Sequence, residues 1–282
     1  MLRRLSFVLL RFGLDVLRAL QPRLSGRADD ALRRAAALKL TADEKRAEAA
    51  VDALRQRLSK DGAVLTVQDH GAGADRPAER QVCDIYKQAA TGPAWGRFLF
   101  GLVRGYRPTK VLELGTNLGV GAAHLAQALC LNGEDGHPGR LVTLEGAPEL
   151  AARAAGHLAR LGHPVGDDDC RVRVVIGPFA ETLPGVAREE GPFDLVFVDG
   201  HHEAEAALGY LDVLRPHLAD GALVVLDDVE PGRPVRRAWT ALKPGGESFY
   251  AVKYGLLVHE LGGAPAPPAR ETGPPPTDAT AA

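Results

Sequence analysis

The stretch that decides the fold lies at residues 110–126 and reads KVLELGTNLGVGAAHLA. Its first five residues are mostly apolar and are typical of a short buried strand. A glycine-containing turn follows and leads into an alanine-rich segment that favours a helix. A strand, a tight turn and a helix in this order form the first part of a β-α-β unit.

Apolar runs and helical segments keep alternating downstream of this stretch. Four more runs read RLVTLE, RVRVVI, FDLVFVD and ALVVLDD, and helix-like sequence follows each of them. Runs that are apolar without alternation indicate strands buried on both faces, as in a parallel sheet covered by helices. The run SFYAVKYGLLVHEL indicates a closing hairpin with its turn at residues 253–255, which makes one edge of the sheet antiparallel. We therefore predict a Rossmann-like, doubly wound α/β fold.

The rest of the chain divides by composition into flanking segments. Residues 1–60 are predicted to form a helical extension, with helix over residues 27–60, and residues 61–108 a lead-in or lid segment. The lead-in contains a glycine-rich loop with Asp69 and His70, and then a helix over residues 85–106 that is broken near Gly92. Residues 109–261 form the ligand-binding domain, and the Pro- and Ala-rich residues 262–282 are expected to be disordered.

The first twenty residues predict an amphipathic helix. One face carries Leu2, Leu5, Leu9, Phe12, Val16 and Leu20, and the opposite face carries Arg4, Arg11 and Arg18. Charges interrupt the apolar run, so a signal peptide is disfavoured. We expect the apolar face to pack against the domain or a second subunit in a homodimer. The alternative is that the helix lies on an anionic membrane surface.

Charge and cysteine content exclude some classes of function. The formal net charge of −2 gives no basic field that would attract nucleic acid. The three cysteines, Cys83, Cys130 and Cys170, are widely spaced, which disfavours a disulfide framework or a thiolate zinc site. A reducing, cytoplasmic location is the simplest expectation.

Acidic residues or glycines end all five predicted parallel strands. Ligands of doubly wound sheets bind at this carboxyl edge. The residues concerned are Glu113, Glu145, Gly177, Asp199 and the pair Asp227 and Asp228. The first turn, ELGTNLGVG, is not the G-x-G-x-x-G of dinucleotide-binding proteins, and Glu113 beside it disfavours a pyrophosphate. A ligand with a positive centre and no phosphate fits this edge better.

Taken in order, the segments VLELGTNLGVGAAHLA, LVTLEGAPELAARAAGHLARLG, VVIGPFAETLP, VDGHH and LDDV resemble class I S-adenosylmethionine-dependent methyltransferases. The resemblance extends over about residues 69–261. It is greatest to a bacterial O-methyltransferase-like branch whose fourth strand ends in D-G-x-H. It implies a seven-stranded sheet with an antiparallel last strand, S-adenosylmethionine as cofactor, and methylation of a small-molecule hydroxyl.

The resemblance also assigns cofactor contacts residue by residue. Glu113, Gly115 and Gly119 would shape the pocket for the methionine part, and Thr116 and Asn117 would contact its amino-acid end. Glu145 would hold the ribose. The adenine would lie between two groups of residues: Gly146 and Ala147 on one side, and Pro178, Phe179 and Ala180 on the other. Asp199 would also line the cofactor site.

The candidate catalytic and metal-binding residues follow the fourth and fifth predicted strands. Asp199, Asp227 and Asp228 could converge on Mg²⁺ or another divalent cation, because three clustered carboxylates without a cation repel one another. Alternatively, they only end strands and cap a helix. His202 matches the histidine of D-G-x-H and is predicted to be a base, a metal ligand or a loop-supporting residue. His201 occupies the variable position.

Two other classes of function stay open at this point. An NAD-linked oxidoreductase could use a similar sheet, and a non-catalytic adaptor tethered by the N-terminal helix could retain the cofactor pocket. Tyr86, Trp95 and Trp239 are weaker candidates for lining an acceptor site. The sequence does not distinguish sugar, phenolic, lipid-linked or peptide hydroxyls as the acceptor.

Overall fold

The computed structural model describes residues 2–68, 77–166 and 171–259. Asp69, His70, Cys170 and the tail at 262–282, about which the sequence makes predictions, lie outside these ranges. The described elements, in chain order, are α1 (Leu2–Leu20), α2 (Gly26–Ala37), α3 (Ala42–Leu58), β1 (Val64–Val67), β2 (Ala78–Gln81), α4 (Val82–Ala89), α5 (Pro93–Tyr106), β3 (Lys110–Leu114), α6 (Val120–Glu134), β4 (Arg140–Glu145), α7 (Pro148–Arg160), β5 (Val172–Ile176), α8 (Phe179–Glu190), β6 (Phe193–Val198), α9 (Ala204–Leu214), β7 (Leu218–Leu226), α10 (Val235–Leu242), β8 (Ser248–Ala251) and β9 (Tyr254–Val258).

The main sheet has seven strands in the order β5-β4-β3-β6-β7-β9-β8. Strands β3 to β7 pair in parallel, and β9 is antiparallel to both β7 and β8. This confirms the predicted Rossmann-like fold with an antiparallel last strand. The chain runs outward from β3 to β5 and then returns to β6 on the other side of β3. The carboxyl ends of β3 and β6 therefore flank the switch point at which such sheets bind ligands.

The closing hairpin has a tighter turn than the sequence predicts. Ala251 pairs with Tyr254, so the turn consists of Val252 and Lys253 alone. Val252 adopts a positive φ of 58°, as the first central residue of a primed two-residue turn does. Placing Tyr254 and Gly255 in the turn was wrong, because both belong to β9. The correction matters because it places Lys253 at the tip, beside the carboxyl end of β7.

Helices α2 and α3 replace the single helical segment predicted at residues 27–60. Leu38, with φ 50°, ends α2, and Thr41 starts α3 through a reciprocal capping box with Glu44. Helix α2 packs closely on α5, where a Cβ on Gly101 would lie 2.7 Å from the Cα of Ala35. The extension thus shares one buried core with the helices that cover the sheet. The proposed domain boundaries stay a prediction.

Buried polar contacts fix α3 against α6. The Nδ1 atom of His124 lies 2.7 Å from Glu48, and its Nε2 lies 3.0 Å from the guanidinium of Arg55. The lead-in forms an antiparallel pair, β1 and β2, that the sequence does not predict.

Helix α1 packs on the domain with a different face from the one selected by the sequence pattern. Leu14 is fully buried, and Leu10 and Leu17 pack against the core. Of the predicted apolar face, Leu9, Phe12, Val16 and Leu20 are 62, 69, 40 and 76% exposed, respectively. The expectation that this face packs on the domain is therefore wrong, because leucines on the other side of α1 make that contact. Within the described ranges, no helix is long and apolar enough to span a bilayer.

Candidate functional site

A cleft opens at the switch point, where the turn after β3 meets the end of β6. Gly115 has φ +105°, and a Cβ there would overlap the backbone carbonyl of Asp199. The amides of Gly115 and Thr116 both donate to the carbonyl of Leu144, at 3.0 and 3.1 Å. The turn is therefore clamped between β4 and β6, and only glycine fits at its first position.

Glu113 lies beneath this turn, almost fully buried. Its carboxylate accepts a 2.6 Å hydrogen bond from the hydroxyl of Thr143, which is itself 2.5 Å from the hydroxyl of Thr116. Burial, with a smaller contribution from the charge of Glu145, raises the pKa of Glu113 to about 8, although the bond from Thr143 opposes this. A positively charged ligand in the cleft would favour the ionised form of this carboxyl.

Glu145, at the end of β4, is held in a fixed orientation. Its Oε2 accepts from the amide of Asn117 at 2.7 Å, and its Oε1 accepts from the amide of Ala147 at 2.9 Å. These two bonds fix a carboxylate at the carboxyl edge of the sheet, and a carboxylate is an acceptor for hydroxyl groups.

The opposite wall of the cleft comes from the lead-in. Ala89, Ala90 and Thr91 line the same cleft as Asp199 and the turn after β3. Sequence reasoning missed these three residues. The helix break near Gly92 could have indicated them, because the connection between α4 and α5 lies across the turn after β3.

Phe179, the first residue of α8, packs against the loop after β6. A Cβ on Gly200 would lie 2.6 Å from its ring, and the ring meets Tyr210 edge to face at 5.6 Å. Phe179 thus supports the loop after β6. The adenine contacts predicted for Pro178, Phe179 and Ala180, and for Gly146 and Ala147, stay predictions.

Asp199, Asp227 and Asp228 converge, as the sequence predicts, and a lysine lies among them. The ammonium of Lys253 is 2.5 Å from a carboxylate oxygen of Asp227 and 2.8 Å from Oδ1 of Asp228. Asp199 and Asp227 share a side-chain hydrogen bond. No pattern near the aspartates predicts Lys253, which comes from the hairpin tip about 25 residues downstream.

The charges of this cluster shift its pKa values in a consistent way. Burial, followed by the charge of Asp227, raises the pKa of Asp199 well above its ordinary value. Burial would raise the pKa of Asp228, but the hydrogen bond from Lys253 holds it low. Burial likewise opposes the charged form of Lys253, but Asp227 and then Asp199 raise its pKa.

Comparison with known proteins shows the family to which the chain belongs. Residues 112–229 match a family described as a methyltransferase domain. The chain is 39% identical over 137 residues to a catechol O-methyltransferase of Mycobacterium tuberculosis, a match that covers 49% of this chain and 56% of that protein. It is 30% identical to the catechol O-methyltransferase of Mus musculus, covering 69% of this chain and 71% of that enzyme. The chain belongs to the class I S-adenosylmethionine-dependent O-methyltransferase family.

Solved structures of other methyltransferases are also similar to this member of the family. The O-methyltransferase TomG from Streptomyces achromogenes, in complex with S-adenosylmethionine, is 28% identical; the match covers 60% of this chain and 81% of TomG, with a TM-score of 0.47. The chain spans little more than half the length of the first of the relatives described above.

The residues of the cleft in this family member have chemistry that suits the cofactor. Glu145 offers a preset acceptor for ribose hydroxyls, and Glu113 offers a buried carboxyl whose ionised form a cationic ligand stabilises. The predicted contacts at Thr116, Asn117 and Gly119 lie on the same turn, where Gly119 has φ +80° and a Cβ there would lie 3.1 Å from the side chain of Ala154.

A divalent cation fits the acidic cluster poorly. The oxygens of Asp227 and Asp228 that would hold it already contact the Lys253 ammonium. Within residues 2–68, 77–166 and 171–259, no group of three or more His, Cys, Asp or Glu side chains is arranged to hold a metal ion. The predicted Asp199, Asp227 and Asp228 metal site is therefore an internal ion-pair cluster in this structure.

The two histidines of the loop after β6 have different environments. His201, with φ 58°, places its Nδ1 2.9 Å from the hydroxyl of Tyr210 and so anchors the loop to α9. The Nδ1 of His202 lies 3.3 Å from Oδ2 of Asp228, and its side chain is half exposed. His202 therefore faces the acidic cluster.

Aromatic side chains surround the cluster on the side of β9. The ring of Tyr254 is fully buried against Trp95, at 5.0 Å, and Phe197, at 5.6 Å. Its hydroxyl is buried and has no hydrogen-bond partner among the described residues. Trp239 instead packs on Tyr250 at 5.5 Å, which makes it a core residue and not the acceptor-lining residue suggested by the sequence.

Proposed function

We propose that this chain transfers the methyl group of S-adenosylmethionine to a hydroxyl of a small molecule. One observation carries the proposal: Asp199 lines the cofactor cleft and also belongs to the Asp227–Lys253 cluster. A methyl donor in the cleft and a hydroxyl at the cluster would therefore be neighbours. Direct transfer requires the reacting atoms to lie about 3–3.5 Å apart, and neighbouring sites allow this.

The residues of the cleft bind and orient the donor. S-adenosylmethionine supplies a methyl group on a positively charged sulfur, which leaves as a neutral thioether. Glu145 accepts the ribose hydroxyls, while Glu113, with Thr116 and Asn117, faces the charged methionine end. Ala89 to Thr91 form the opposite wall of the cleft.

The acceptor must lose its proton as its oxygen attacks the methyl carbon. His202 is the residue we assign to this step, because its Nδ1 is directed at Asp228. The carboxylate orients the ring and stabilises the imidazolium that forms, and Nε2 takes the proton. Transfer breaks the carbon–sulfur bond and forms the carbon–oxygen bond. The sequence also predicts assistance by Mg²⁺, but the cluster geometry supports no step through a divalent cation.

Binding calorimetry separates this function from its alternatives. S-adenosylhomocysteine and NAD(H) are titrated separately into the full chain, and we expect only the first to bind. Tight NAD(H) binding without S-adenosylhomocysteine binding would replace the proposal with an oxidoreductase. A non-catalytic adaptor would bind the cofactor but transfer no labelled methyl group to any member of a panel of phenolic, sugar and lipid-linked hydroxyls.

We further propose that the exposed face of α1 lies on an anionic membrane surface. This face carries Leu9, Phe12, Val16 and Leu20, and five arginines against one aspartate lie between residues 3 and 23. Apolar side chains flanked by arginines match the interface of an anionic bilayer. Two copies of α1 would instead bring like charges together, which disfavours a homodimer through this face. A homodimer through this face, as the sequence predicts, is the alternative that vesicle binding and light scattering distinguish from membrane binding.

A further inference from the structure

We propose that the ammonium of Lys253 is the resident cation of the acidic cluster and takes the place of a divalent metal ion there. The proposal concerns which cation the cluster holds. Only its consequence for the acceptor rests on the function proposed above.

The closing hairpin, β8 and β9, places Lys253 next to the acidic cluster. Because β9 runs antiparallel to β7 and pairs Gly255 with Leu226, the two-residue turn lies next to the carboxyl end of β7. The amide of Val229 donates to the carbonyl of Lys253 at 2.9 Å, which fixes the turn against the segment after β7. Its ammonium then meets the two carboxylates that begin that segment.

The same carboxylate oxygens cannot serve two cations. A Mg²⁺ ion bound to them at its usual distance of about 2.1 Å would lie within about 5 Å of the Lys253 nitrogen. Positive charges that close in a partly buried site repel strongly. Lysine and metal are therefore alternatives at this site.

An ammonium in place of a metal ion changes which oxygen groups the methyl acceptor needs. A metal ion can bind two adjacent oxygens of an acceptor at once, whereas an ammonium offers single hydrogen bonds. The Lys253 nitrogen lies 2.5 Å from both carboxylate oxygens of Asp227 and 2.8 Å from Oδ1 of Asp228, so the cluster holds it in place and it cannot chelate an acceptor as a metal ion does. The acceptor therefore needs one hydroxyl near Lys253 and His202, and a vicinal diol gives no advantage.

Metal binding is tested directly by titrating Mn²⁺ into the full chain and measuring free Mn²⁺ by electron paramagnetic resonance. The wild-type chain is expected to bind no stoichiometric Mn²⁺ up to about 1 mM, the weak end of the range for carboxylate sites. Lys253→Met is expected to gain a site, and Lys60→Met, an exposed control, is expected to behave as wild type. Stoichiometric binding by the wild-type chain that Asp228→Asn abolishes would overturn the proposal, as would a folded Lys253→Met chain that gains no site.

Three further measurements make the result unambiguous. If Lys253→Met does not fold, Lys253→Arg retains the charge, and it must remain metal-free together with the wild-type chain. S-adenosylhomocysteine binding is measured on the same samples, so its failure would refute the methyltransferase function without touching the metal result. Turnover with matched one-hydroxyl and vicinal-diol acceptors should be insensitive to EDTA, and an absolute need for both a diol and Mg²⁺ would overturn the proposal.

Discussion

The backbone carbonyl of Asp199 fills the space that a side chain on Gly115 would need. The relationship joins the turn after β3 to the end of β6, which are the two segments that form the cofactor cleft. Because the neighbour is backbone, it cannot move aside as a flexible side chain could. The left-handed φ of Gly115 adds strain to any substitution there.

Gly115→Ala is therefore expected to destabilise the chain by about 2–3 kcal/mol and to abolish S-adenosylhomocysteine binding. Gly156→Ala is the matched control, because a Cβ there meets nothing within 4 Å in the middle of α7. It should leave cofactor binding unchanged and increase stability slightly, since alanine favours helices. Urea unfolding and calorimetry measure both quantities. A Gly115→Ala chain with wild-type affinity would contradict the assignment of the cleft.

Glu145→Gln is expected to weaken S-adenosylhomocysteine binding about 10- to 100-fold, since a hydrogen bond to a charged group contributes about 1.5–3 kcal/mol. Glutamine has one acceptor oxygen in place of two, so it cannot hold both ribose hydroxyls and both amides. Glu149→Gln, an exposed substitution in the first turn of α7, is the control and should bind normally. Equal affinity in Glu145→Gln and wild type would show that the ribose lies elsewhere.

Glu113 predicts a pH dependence of stability in the absence of ligand. Its pKa is about 8 in the folded chain against an ordinary value of 4.5, so between these values the folded state holds a proton that the unfolded state has lost. The stability contributed by this carboxyl is fully present below about pH 4.5 and is lost as the pH rises to about 8, by at most about 5 kcal/mol.

Glu113→Gln removes this proton and should flatten the fall in stability between pH 5 and pH 8. The variant should be more stable than wild type at pH 8 and should bind S-adenosylmethionine more weakly, because the neutral amide cannot stabilise the positive ligand. Denaturant unfolding at several pH values measures the first effect. Parallel pH profiles for the two chains would show that Glu113 is already ionised in the folded state.

The two histidines of the D-G-x-H loop should respond differently to substitution. His202→Asn is expected to lower kcat about 100-fold or more, as loss of a general base does, with cofactor affinity unchanged. His201→Asn should retain most activity but lower the melting temperature, because asparagine tolerates the positive φ but loses the contact with Tyr210. Indistinguishable kcat values for the two variants would remove His202 from the proton-transfer step.

The exposed face of α1 is expected to bind lipid vesicles. Co-sedimentation with phosphatidylserine-containing vesicles should be strong at low salt and weak with phosphatidylcholine alone. A variant with Leu9, Phe12 and Leu20 changed to serine should lose binding while keeping its melting temperature, because the buried Leu14 is untouched. Light scattering tests the alternative: a wild-type dimer that this variant converts to a monomer would assign the face to a second subunit.

Much of the fold could be predicted because its signals are local. The alternation of apolar runs and helices determines the parallel sheet, and the residues that end the strands determine where a ligand binds. A strand end is a feature of one short segment, so Glu113, Glu145 and Asp199 could be selected from the sequence. The same holds for the inequality of His201 and His202, which follows from the D-G-x-H spacing.

The remaining features depend on segments that meet only when the chain folds. Helix α1 has leucines on two sides, and only packing decides that Leu14 is buried and Phe12 exposed. Thr91 reaches the cleft because the connection between α4 and α5 lies across the turn after β3. Three aspartates at two strand ends predict a cation, but its nature depends on strand pairing between β7 and β9. That pairing, which no local pattern specifies, places Lys253 against Asp227 and Asp228.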